Sequence, residues 1–166
     1  MIIYTLPHFG KLPIISLKEN YEVDIDLKGN EIQLDLNFDL EYVTTSTLEK
    51  VKNFLENLEQ FDDLNKIHIL NDFNNGNDGS VKMYLEHHLA EVDKAELDTI
   101  IDFDNTETEP IQQLLAKLKL VRVGIYPKNK ENFAIFDYSI GKDITNYLIV
   151  INADENVKLD YLTMES

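Results

Sequence analysis

Four histidines, His8, His68, His87 and His88, are the side chains of widest chemical reach in this chain. His87 and Glu91 stand four apart, a spacing that brings two side chains together on one face of a helix. A hydrolytic zinc site needs two histidines at that spacing with a glutamate between them, and a di-iron bundle needs two Glu-x-x-His units; neither is present. His88 falls on the apolar side of its segment, where a hydrogen-bonded boundary histidine is expected rather than a ligand, and His68 and His8 have apolar neighbours and the same reading. The stretch Asn71 to Gly79 holds four Asn, two Asp and two Gly. It fails as a calcium loop. With Gly79 as the sixth residue, Gly76 falls third and Leu85 twelfth; with Gly76 sixth, Phe73 falls third. There is no Gly-x-Ser-x-Gly elbow, no phosphate-cradling glycine loop, no Gly-x-Gly-x-x-Gly and no cysteine, so acyl transfer, nucleotide chemistry and thiol chemistry have no motif to stand on. No catalytic residue, metal ligand or cofactor is assigned. A metal-dependent hydrolase using His87 with a carboxylate remains the outlying alternative.

The elements that would position any site follow from periodicity. Residues 1–20 read as an edge strand or packed loop, because Pro7 and Pro13 interrupt a ladder of hydrogen bonds. Tyr21, Val23, Ile25 and Leu27 alternate with acids, Lys28-Gly29-Asn30 supplies a turn, and Ile32, Leu34, Leu36 and Phe38 resume the alternation. This is a β-hairpin with an acidic outer face. Ser46 and Glu49 form a capping box for a helix over 46–60 with Leu48, Val51, Leu55 and Leu58 on one stripe. Apolar residues at 64, 67, 69, 70 and 73 fit a helix or a strand, with helix preferred. Asn71 to Gly79 is a loop, Val81 to Val92 a helix, and Asp93 with Glu96 caps a short helix carrying Leu97, Ile100 and Ile101. Asp102 to Pro110 is an acidic connector, and Pro110 opens a helix with Ile111, Leu114, Leu115 and Leu118 on its face. After Leu120 come strands over Val121–Tyr126, Phe133–Ile140, Tyr147–Ile151 and Val157–Met164. The expectation is a single α+β domain over 1–166. Its antiparallel sheet is built from N-terminal strands in 1–45 and a C-terminal meander in 120–166, with the helical layer of 46–119 packed on one face.

Charge is the unusual quantity. The 166 residues carry 31 Asp and Glu against 15 Lys and Arg, a net of -16, and the only arginine is Arg122. That disfavours the clustered cations on which nucleic-acid backbones and anionic membranes depend. With no basic n-region ahead of an apolar one, and no apolar run of ~20 residues, a soluble cytoplasmic protein is expected. The imbalance is concentrated: residues 86 to 109 hold nine acids and one base. Such a face either keeps a protein dissolved or meets a cationic partner. Asp93, Glu96, Asp98, Asp102, Asp104, Glu107 and Glu109 are the candidate partner-binding residues.

Five segments carry a resemblance. Leu6-Pro7-His8-Phe9-Gly10, the hairpin ending Asp35-Leu36-Asn37-Phe38, Val123-Gly124-Ile125-Tyr126-Pro127, the run Phe133 to Gly141, and the close Leu162-Thr163-Met164-Glu165-Ser166 resemble an uncharacterised bacterial domain family. In size and acidity the chain is also similar to immunity proteins encoded beside polymorphic toxins. The first likeness implies little about function and the second favours an immunity-type inhibitor of a basic toxin without assigning a residue; the acidic cluster makes a non-catalytic protein-binding domain the leading expectation. A homo-oligomeric scaffold, paired through the hairpin or the C-terminal edge strand, is the alternative.

Overall fold

The computed structural model describes residues 1–39, 42–76 and 78–166. At the N-terminus β1 (Ile3–Leu6) and β2 (Gly10–Pro13) form a separate antiparallel hairpin rather than a lone edge strand. His8 and Gly10 at its tip both take positive φ, which lets the chain reverse within Pro7 to Gly10. Each proline sits where no ladder N–H is required. A single 3-10 turn follows at Ile14–Ser16.

The alternating segments become β3 (Asn20–Leu27) and β4 (Asn30–Asn37), paired through the expected Lys28-Gly29 turn. Five helices come next: α1 (Thr45–Glu56), α2 (Leu58–Phe73), α3 (Ser80–Glu91), α4 (Lys94–Leu97) and α5 (Pro110–Lys117). Four strands complete the chain: β5 (Lys119–Ile125), β6 (Ala134–Ser139), β7 (Leu148–Ala153) and β8 (Leu159–Glu165). Six strands make one sheet in the order β3-β4-β5-β6-β7-β8.

The class is α+β as expected, with one departure inside the sheet. β4 and β5 pair in parallel, joining the hairpin to the antiparallel meander. The whole helical layer lies between those two strands in sequence, and a crossover of that length returns the chain to the end from which β4 set out. Helix boundaries also differ. Thr44, not Ser46, is the N-cap of α1: its backbone is extended and its side chain accepts from Thr47 N at 3.1 Å. The single helix expected over 46–60 breaks at Asn57, whose Nδ2 donates back to Asn53 O at 2.7 Å and competes with the helical ladder. Residues 64–73 are the second half of α2, so the polar loop begins only after Phe73, and Asn77 lies outside the described residues.

Core and outer faces follow from the register. Leu34, Val123, Phe136 and Ile151 line up across four strands and share one apolar cluster with Leu48, Val51, Phe54, Tyr84, Leu85 and Leu114 of the helices. Gln33, Arg122 and Asp137 line up on the opposite face, beside Asp35 and Gly124. Two helices are joined by a local lock. Asp72 Oδ2 near the end of α2 accepts from Val81 N at 2.7 Å in the first turn of α3. Any Cβ on Gly79 would stand 2.2 Å from Asp72 O, so that approach requires glycine.

Candidate interaction surface

α4 and the connector that follows it carry the seven acids named from sequence. Asp93 occupies the N-cap position of α4, Glu96 lies within the helix and Asp98 just beyond it; Asp102, Asp104, Glu107 and Glu109 follow in the connector. All seven are exposed. Asp93 does not cap with its side chain, contrary to the expected box; the turn closes through its carbonyl, which accepts from Glu96 N and Leu97 N. Its carboxylate is thereby left to solvent. Lys94, the one base of the segment, lies with Nζ 5.1 Å from the centre of the Phe103 ring. Among the described residues none of the seven carboxylates takes part in an ion pair.

The connector is irregular yet tied down. Gln113 of α5 accepts from Asp102 N at 2.8 Å and donates Nε2 to Asp102 O at 2.8 Å and to Thr108 O at 2.9 Å, spanning the loop from end to end. Within it Asp102 Oδ1 accepts from Asp104 N, and Asn105 Oδ1 accepts from Glu107 N and Thr108 N. These Asx turns fix the backbone that carries the acids. Between connector and α5 runs an open groove of about 520 Å³ lined by Asp98, Ile100, Ile101, Asp102, Gln113 and Ala116, with Lys117 as its single base. The arrangement offers carboxylate acceptors around a partly apolar trough, which suits lysine or arginine side chains.

No family model, curated protein or solved structure matches the chain.

Among the described residues no three His, Cys, Asp or Glu side chains come together in a way that could hold a metal. His87 packs against the Tyr147 ring with centroids 4.9 Å apart, and Glu91 is exposed. His88 is 1% exposed. Its Nδ1 lies 2.6 Å from Tyr84 O, which can only accept, so Nδ1 carries the proton. Nε2 then accepts from Thr145 Oγ1 at 2.7 Å, and that hydroxyl accepts in turn from Tyr147 N at 3.0 Å. Burial, with His87 nearby, holds the imidazole below its ordinary value of 6.5 even though the bond to Tyr84 works the other way. The hydrogen bonding is as expected from sequence, but the ring lies in the core and not at its boundary.

A second polar centre was not singled out from sequence. Arg122 on the outer sheet face reaches Asp35 through Nε at 2.6 Å and Nη2 at 3.1 Å, and Asp137 through Nη1 at 3.0 Å. Tyr126 OH lies 3.3 Å from Nη2. Asp35 and Asp137 are both buried, and burial pushes the Asp137 carboxyl up against the pull of Arg122. A Cβ on Gly124 would come within 3.0 Å of Arg122 Nη2 and 3.2 Å of Tyr126 OH, so both side chains pass close over the glycine and would have to shift by a few tenths of an ångström to admit a larger residue. The signal was there: the only arginine, a glycine two residues on and a tyrosine four on share one face of a strand.

Proposed function

We propose that the chain is a non-catalytic binding domain that covers a cationic site on a basic protein, as an immunity-type inhibitor covers its toxin. The observation that carries this reading is the set of seven unpaired carboxylates on α4 and a connector clamped by Gln113. A fixed backbone spares the ordering entropy that a mobile acidic loop would lose on docking. The one-sided charge steers a positive partner toward it and raises the association rate ~10- to 1000-fold at low salt. Inhibition is then steric, with no chemistry asked of the domain. The likeness in size and acidity to immunity proteins agrees with this reading.

Co-expression with the product of the adjacent reading frame tests it. The intact chain should restore growth that this neighbour alone abolishes. A variant with Asp102, Asp104, Glu107 and Glu109 changed to Lys should fail to do so while keeping its thermal midpoint. Equal protection by both proteins would remove the proposal.

A further inference from the structure

The acidic trough does not end at α5. On the other side of that helix a second groove, of about 350 Å³, runs between α2 and α5 and is lined by Ile69, Leu70, Leu115, Ala116 and Leu118. Gln112 and Ala116 line both grooves, so the two are one continuous surface draped over α5. The second groove is apolar where the first is anionic. Its one cation, Lys66, is held by Asp62 at 2.9 Å.

The apolar surface extends along α2. Leu64, Ile67 and Leu70 recur every third residue and are 42%, 54% and 48% exposed, while the same helix buries Asp62 and Asn65. Asp62 faces inward, where its Oδ1 accepts from the buried Tyr138 hydroxyl at 2.8 Å. α2 thus presents Leu64, Ile67 and Leu70 to solvent while Leu58 and Ile69 are buried with a carboxylate. Leu70 lines the groove, and Leu64 and Ile67 add exposed apolar side chains along the same helix, a surface of the kind that marks a docking site.

We infer that this composite surface receives a cationic amphipathic helix of the partner, with its apolar side chains seated between α2 and α5 and its lysines or arginines against Asp98 and Asp102. This rests on the binding reading above and adds the form of the ligand. α5 has eight residues and so runs about 12 Å, room for two turns and the anchors of an i, i+3, i+4, i+7 stripe. Charge complementarity selects the occupant. A second copy of this chain, at -16, would bring like charge to the acidic half of the surface.

The test uses the full chain and three labelled peptides of about fourteen residues, long enough for the helix to form on contact. One is a Leu/Lys peptide with leucines at helical spacing, one has the same composition scrambled, and one is oligolysine. Fluorescence anisotropy should give the helical peptide at least about tenfold tighter binding than either control. Ile67→Gln with Leu70→Gln, a pair that alters no charge and touches only half-exposed positions, should abolish that advantage without changing the melting profile. Equal binding of all three peptides, unaffected by the Gln pair yet lost when Asp98, Asp102, Asp104 and Glu107 become amides, would overturn the helix inference and leave the electrostatic reading standing. Failure of every peptide to bind would overturn both. A chain that dimerises alone, and becomes monomeric with the Gln pair, would give the groove to a second copy and likewise overturn the inference.

Discussion

Arg122 holds two buried carboxylates with one guanidinium, and the balance at that position is easily upset. Glu22 lies directly across from Asp35 in the β3–β4 register, and Asp26 across from Glu31, so like charges already face one another on this side of the hairpin. Replacing Arg122 with Met would leave Asp35 and Asp137 without a counter-charge, and urea unfolding should register a loss of about 3 kcal/mol. Restoring neutrality with Asp35→Asn and Asp137→Asn in the same chain should recover most of it. His88 makes a separate prediction, in pH. Its folded value lies below 6.5, so the unfolded chain binds the proton first as pH falls. Stability is therefore complete above 6.5 and declines as pH drops from there toward the folded value, by at most about 1.4 kcal/mol per pH unit from this one group. Protonation would also give Nε2 a proton where it now accepts from Thr145. His88→Gln should flatten the difference in urea midpoint between about pH 7 and pH 5 relative to the parent chain; an unchanged difference would remove the imidazole as its source.

At the scale of elements, the connector between α4 and α5 owes its shape to one side chain. Gln113→Ala removes three hydrogen bonds that join Asp102 and Thr108 to α5. Hydrogen exchange should then speed up at the amides of Asp102, Asp104 and Glu107 while the amides of β5 and β6 keep their protection, because the loop opens without the core. Elements with one apolar face were legible in the sequence: β3, β4, α3, α5 and the four C-terminal strands lie within a few residues of their expected positions. α2 was ambiguous for a physical reason. It is apolar outside at Leu64, Ile67 and Leu70 and polar inside at Asp62 and Asn65, so its pattern does not point toward a core. The break at Asn57 and the cap at Thr44 turn on single side-chain hydrogen bonds, which periodicity does not register. The acids of the connector could be read as a cluster from spacing alone. Their clamp could not, since it depends on Gln113 folding back across eleven residues to Asp102. Asp137 meets Arg122 across the antiparallel β5–β6 pair, and Asp35 joins them only through the parallel pairing of β4 with β5, a register no local pattern encodes.

Taken whole, the molecule is a two-layer domain whose charge is unevenly shared between its layers. Among the described residues no helix is long and apolar enough to cross a membrane. The helical layer, residues 46–119, carries sixteen acids and seven bases, residues 1–45 carry eight and three, and residues 120–166 carry seven and five, so the helical layer holds more than half of the net charge. The resulting field should act on rates more than on the lifetime of a complex, and it should fade as the screening length shortens from about 30 Å at 0.01 M salt to 3 Å at 1 M. The most direct measurement is the association rate constant between the chain and the product of the adjacent reading frame, the basic partner proposed for it, followed by stopped flow across that salt range. The parent chain should associate at least about tenfold faster at the low end than the variant with Asp102, Asp104, Glu107 and Glu109 changed to Lys, and the two should converge at the high end. Identical rate constants at every salt concentration would contradict the account.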